Sequence, residues 1–275
     1  MAYDWEETPK KFSIWRVLGI LLLILALGML IWYGISKLTK KVPAPTEVVS
    51  SAVSDVVEDT PLSFLAGGSK SKASELFSDV TDETPHAEDI AWLYDAGITK
   101  GFEDGTFRGE ELVNRQDLAA FLYRMAGSPE YQATAEDVAR FVDLDELTPH
   151  YNEICWMATQ GITAGYPEPD GTYTFRGTEL VTRQDLAAFL RRLTTIMGGN
   201  AEMAADTPNP FADVVMGVTP HAEDIVWLAS TGVTAGYTEA DGTKTFRGDQ
   251  PVTRQDMAAF LHRLNDFIPG VKEGV

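Results

Sequence analysis

Residues 77–126 read FSDVTDETPHAEDIAWLYDAGITKGFEDGTFRGEELVNRQDLAAFLYRMA. Phe77-Ser78-Asp79 opens the segment and Thr84-Pro85-His86 follows. Thr is a good helix N-cap and Pro fits the first helical turn, so a helix is expected to start at this tripeptide. It runs through AEDIAWLYDA to Gly97, which is placed to end it in the left-handed conformation. Asp104-Gly105, between short aromatic or Thr-containing stretches, predicts a tight turn or small hairpin. Asn114 then caps a second helix, in which Leu118, Phe121, Leu122 and Met125 follow the 3, 4, 7 spacing that buries one face. Asp117, three residues after the cap, makes a shortened capping box. One such helix–turn–helix of about 50 residues has too little core to be stable alone.

The chain supplies two further copies. Phe-x-Asp recurs at 141–143 and 211–213, Thr-Pro-His at 148–150 and 219–221, and the helix-ending glycine at Gly161 and Gly232. The turns GYPEPDGTYTFRG and GYTEADGTKTFRG lead into VTRQDLAAFLRRL and VTRQDMAAFLHRL, with Thr182 and Thr253 as N-caps and Asp185 and Asp256 behind them. Repetition at this period means stacked units sharing one core. The expected fold is mainly α, with three repeats (76–126, 141–193, 211–265) packed in a pseudo-threefold domain and joined by segments 127–140 and 195–210.

Before the repeats the composition changes. Val17 to Ile35 is an uncharged run of 19 residues between Arg16 and Lys37, and Trp15, Trp32 and Tyr33 lie near its ends. A helix of that length crosses roughly 30 Å of hydrocarbon, and aromatic rings favour its interfaces. We therefore expect a cytoplasmic tail at 1–13, a transmembrane helix at 14–36 and a linker at 37–75 rich in Pro, Ser, Thr and acidic residues. A cleaved signal peptide is the rival reading, but its apolar region is usually shorter and ends at a small-x-small site. Flanking lysines and arginines balance, so they leave the orientation open.

Of 275 residues, 44% are hydrophobic, one is Cys, and the net charge is −19. A single Cys excludes an internal disulfide framework, and the acidic balance excludes a general nucleic-acid binder. Residues 1–41 sum to +3, which leaves −22 for the rest.

The three copies of Phe-x-Asp, of the helix ending in Gly-Ile/Val-Thr, of the Asp-Gly-Thr turn and of the Arg-bearing second helix together resemble tandem S-layer homology repeats over residues 77–265. The resemblance implies a three-lobed, non-enzymatic domain. Its inter-repeat grooves bind a secondary cell-wall polysaccharide, anionic and often carrying ketal-linked pyruvate. It also implies that the Arg of the family's Thr-Arg-Ala-Glu motif contacts the glycan. The matching stretches here are Asn114-Arg115-Gln116-Asp117, Thr182-Arg183-Gln184-Asp185 and Thr253-Arg254-Gln255-Asp256, with Gln for Ala, Asp for Glu and, in the first, Asn for Thr. Wall attachment places the repeats outside the cell, so the expected protein is a single-pass tether joining the lipid bilayer to the wall. A secreted wall protein and a protein-interaction module are the alternatives, and an enzyme is the weakest.

Arg115, Arg183 and Arg254 are the first candidates for glycan contact. An Arg in the first helical turn sits unfavourably at the positive end of the dipole, yet free backbone N–H groups beside it suit a carboxylate or phosphate. The competing role is an ion pair with the Asp of Phe-x-Asp. Arg108, Arg176 and Arg247, after the turn, are expected to be exposed loop residues or to line the same groove. Trp92, Trp156 and Trp227 recur mid-helix, where core packing competes with a sugar-stacking platform. His86, His150 and His221 recur with an acid three residues on (Asp89, Glu153, Asp224), but two ligands per repeat fall short of a zinc site. No metal and no cofactor is expected.

Overall fold

In the computed structural model, residues 71–268 are described. The expected tail, the expected transmembrane helix and all but the last few residues of the expected linker lie outside them. Among the described residues no helix is long and apolar enough to cross a membrane.

Eight helices are present among the described residues: α1 (Ala73–Leu76), α2 (Ala87–Asp95), α3 (Arg115–Met125), α4 (Ala135–Val138), α5 (Tyr151–Thr159), α6 (Arg183–Ile196), α7 (Ala222–Ser230) and α8 (Arg254–Phe267). Two short antiparallel hairpins join them: β1 (Tyr166–Pro167) with β2 (Tyr173–Thr174), and β3 (Tyr237–Thr238) with β4 (Lys244–Thr245). The expected mainly α fold is present. The first repeat carries no hairpin, because Gly101 to Phe107 has seven residues where Gly165 to Phe175 has eleven.

One expectation is corrected. Thr84, Thr148 and Thr219 do not cap the first helix of each repeat. Their hydroxyls accept the backbone N–H of Thr81, Asp145 and Val215 at 2.9, 3.1 and 2.8 Å, closing the turn behind them. The helix begins after His86, His150 or His221, each left-handed at φ 63°, 61° and 57°. Asn114, Thr182 and Thr253 do cap the second helices, accepting the N–H of Asp117, Asp185 and Asp256.

Phe-x-Asp fastens each repeat internally. Asp79 accepts the backbone N–H groups of Phe107 and Arg108, both at 2.7 Å. Asp143 does the same for Phe175 and Arg176, and Asp213 for Phe246 and Arg247. Phe77, Phe141 and Phe211 then meet Phe107, Phe175 and Phe246 at ring separations of 5.5–5.7 Å. The rings leave no space at Gly101, Gly165 and Gly236, which are left-handed at φ +71°, +70° and +66°.

Between repeats the contacts are cyclic. α5 packs on α3, α7 on α6, and α2 on α8, so each first helix lies against the second helix of the preceding repeat and the first repeat closes on the last. At the centre, Val113 N–H donates to Val252 O, Val252 N–H to Val181 O, and Val181 N–H to Val113 O, all at 2.9 Å. Every repeat contributes the same strand-like residue to this triangle. The apolar core is likewise continuous across all three repeats.

Candidate functional site

The second helices begin at the seams between repeats. Arg115 N–H donates to Glu179 O and Gln116 N–H to Gly177 O, both at 2.9 Å, while Asp117 N–H is taken by the Asn114 cap. Arg183 and Gln184 repeat this with Gln250 and Gly248, and Arg254 and Gln255 with Glu111 and Gly109. The backbone N–H groups at these helix starts are therefore occupied by the neighbouring repeat. This corrects the expectation that they are free to receive an anion.

The arginine side chains are a different matter. Arg115, Arg183 and Arg254 are only 4%, 5% and 9% exposed. Each Nε donates to a backbone carbonyl of the next repeat: Phe175 at 2.9 Å, Phe246 at 2.9 Å and Phe107 at 2.8 Å. Each guanidinium lies among three aromatic rings. Arg254, for example, is 4.7 Å from the Phe102 centroid, 4.8 Å from Phe107 and 5.5 Å from Phe121. Tyr166, Phe175 and Phe189 surround Arg115 in the same way, as do Tyr237, Phe246 and Phe260 for Arg183. Burial pulls all three guanidinium groups below the ordinary Arg range. No carboxylate among the described residues pairs with them, and the carboxylates of Phe-x-Asp are spent on backbone N–H groups.

A guanidinium has five N–H donors, and here one is used by a side-chain hydrogen bond. No buried side-chain nitrogen or oxygen among the described residues lacks a hydrogen bond, so the unbonded Nη groups open to the surface. The aromatic faces hold the cation by its quadrupole attraction and fix the plane of the fork. Such a fork is preorganised for two-pronged contact with an oxygen-rich or anionic group.

At Arg254 the opening is a cavity of about 410 Å³, lined among others by Lys100, Phe102, Asp117, Arg124, His150 and Arg254. All three repeats meet in it. His150 Nε2 lies 3.7 Å from Asp117 Oδ1, and the same seam pairing sets His221 at 3.6 Å from Asp185 and His86 at 3.6 Å from Asp256. The recurring His therefore bridges repeats.

Arg108, Arg176 and Arg247 lie beside these arginines but are already engaged. Left-handed at φ 56°, 58° and 57°, they cover the outer face of Phe102, Tyr166 and Tyr237 at 3.9, 4.3 and 4.1 Å. Their ion pairs with Asp104, Glu168 and Glu239 span 2.9–3.1 Å, and the hydrogen bonds to Asp104 and Glu168 push the pKa of Arg108 and of Arg176 up. Hydrogen bonds from Thr106 and Arg108 bring Asp104 down to about 2. One aromatic ring is thus held between two guanidinium groups at every seam.

The tryptophans divide. Trp156 and Trp227 are 3% and 1% exposed and belong to the core, so neither presents a face to a sugar. Trp92 is half-buried and stacks on His262 at 4.6 Å, away from the Arg254 cavity. Arg124, Arg192 and Arg263 were not singled out from the sequence. They reach back to the carbonyls of Ile98, Ile162 and Val233 at the end of each first helix, and Arg124 lines the cavity. Their recurrence nine residues after the helix-start Arg is the signal that points to them. Among the described residues no group of three His, Cys, Asp or Glu is arranged to hold a metal. Cys155 is buried and its thiol is pushed up to about 11, chiefly by burial.

Comparison with known proteins agrees with this architecture. The S-layer homology domain matches three times, at residues 76–119, 140–187 and 210–258. The chain is 29% identical over 168 residues to Cell surface glycoprotein 1 of Acetivibrio thermocellus, covering 60% of this chain and 7% of that protein. It is 27% identical over 191 residues to the Cellulosome-anchoring protein of the same organism, covering 66% of this chain and 39% of that protein. The chain thus spans well under half the length of either relative. With three tandem matches over half of its residues, each on one lobe of the ring, the chain belongs to the S-layer homology domain family.

Proposed function

We propose that the three-repeat body binds a cell-wall polysaccharide non-covalently through its inter-repeat grooves, and so anchors the chain at the cell surface. The observation that carries this reading is the set of three buried guanidinium groups, each gripped by aromatic rings and one carbonyl, with no carboxylate partner and with donors left over. Burying a charge without a counter-charge is costly, and the fold does so three times at equivalent places. A ligand rich in oxygen acceptors completes the arrangement. The family, and relatives named for the cell surface and for anchoring, support the same reading.

The role is binding, with no catalytic step. The uncharged run of residues 17–35, outside the described residues, extends the proposal: the chain joins the bilayer to the wall, with the body on the outer side. The test is sedimentation of the full chain, held in detergent, with isolated wall sacculi before and after glycan extraction. Binding that is lost on extraction is expected. Equal sedimentation with both preparations overturns the reading in favour of a protein partner, and none with either overturns it outright.

A further inference from the structure

The three grooves share their helix-start arginine, their His–Asp seam and their second-helix Arg, and the charge of their lining differs at one position. Lys100 stands in the first groove where Ala164 and Ala235 stand in the others. Lys100 is exposed, lines the 410 Å³ cavity, and its ammonium has no recorded partner among the described residues. Facing the same cavity is Arg254, 9% exposed, with its Nη groups unbonded. Arg124 adds a third cation, and Asp117, the one acid in the lining, is engaged by His150 at 3.7 Å. The first groove also has Phe102 where the others have Tyr166 and Tyr237, so no phenolic group competes there for acceptors.

We propose that the grooves are unequal, and that the first, between Lys100 and Arg254, holds an acidic substituent of the glycan, with Lys100 as the residue that selects it. This rests on the glycan-binding reading above. A buried, oriented fork sets the position of an anion, and a mobile ammonium on the rim adds a charge contact that a neutral sugar does not repay. On a body this acidic, attraction for an anionic polymer has to come from such local pockets.

The test uses the full chain in detergent with wall sacculi, and with D-glucuronate, glucose 6-phosphate and glucose as soluble competitors. Lys100→Ala is an exposed substitution and is expected to fold. It should weaken sacculus binding about fivefold, the scale of one exposed charge pair. It should also abolish competition by whichever acidic sugar competes with the unaltered chain, while glucose competes with neither. Competition by glucuronate alone identifies a carboxylate, and by glucose 6-phosphate alone a phosphate. Ala164→Lys, which copies the device into the second groove, should tighten binding. If the unaltered chain binds sacculi but both variants match it, the grooves are equal and this inference fails while glycan binding stands. If the unaltered chain does not bind sacculi, the underlying reading fails instead.

Discussion

A carboxylate that receives two imidazoles ties the first repeat to the third. Asp89 accepts from His86 at 3.1 Å and from His262 at 2.7 Å, so one residue of the first repeat is bound by its own helix start and by α8. Burial alone would raise its carboxyl, but the two hydrogen bonds and the imidazole charges outweigh it and hold Asp89 below the ordinary 3.8. A depressed carboxylate adds stability above its unfolded pKa and loses it as pH falls through its folded one. Asp89→Asn should therefore melt below the unaltered chain at pH 5, and the gap should close as pH falls below about 4. A gap that persists unchanged to pH 2.5 contradicts the assignment. At the level of single residues the sequence shows which positions recur and is silent about their partners. Arg115, Arg183 and Arg254 stood out by recurrence. Their acceptors lie 60, 63 and 147 residues away, beyond any local pattern.

Among the elements, the turn after the first helix is the most tightly constrained. Gly165 has φ +70°, and a Cβ there would meet the Thr174 carbonyl oxygen at 2.6 Å and the ring of Phe141. Neither neighbour can retreat, since Phe141 is in the core and Thr174 is held in β2 by its pairing with Tyr166. Gly165→Ala should cost more than about 2 kcal/mol in urea unfolding, from positive φ and overpacking together. By contrast Gly171→Ala, at φ +86° with nothing within 4 Å, should cost about 1 kcal/mol. Equal losses at the two sites would contradict the close approach. The second helices and their caps were legible because Asn or Thr followed by Asp three residues on is a local code. The first helices were misplaced by two to three residues because the Thr hydroxyl has two possible uses. Only the fold shows that it closes the preceding turn.

As a whole, the body is a closed ring, and closure has consequences that a linear repeat array lacks. In an open solenoid each unit meets only its neighbours and an end repeat can fray. Here α2 and α8 meet, and the valine triangle needs all three repeats. The body should therefore unfold in one transition. Phe141→Ala, in the second repeat, should lower the midpoint seen by Trp92, Trp156 and Trp227 by the same amount. Separate midpoints for the three tryptophans would show that the repeats act independently. The repeat count and the pseudo-threefold packing could be read from the sequence. The order of packing, each first helix on the preceding second helix, could not, because the apolar faces alone do not say which copy they meet.

On the proposed reading, the buried guanidinium groups without a carboxylate partner receive the glycan. Arginine-detected NMR of the full chain in detergent, titrated with glycan released from sacculi, addresses it directly. Shifts are expected at the Nε and Nη resonances of one or more of Arg115, Arg183 and Arg254, with the indole signals of Trp156 and Trp227 unmoved. Glycan binding that leaves all three arginines unshifted would contradict it.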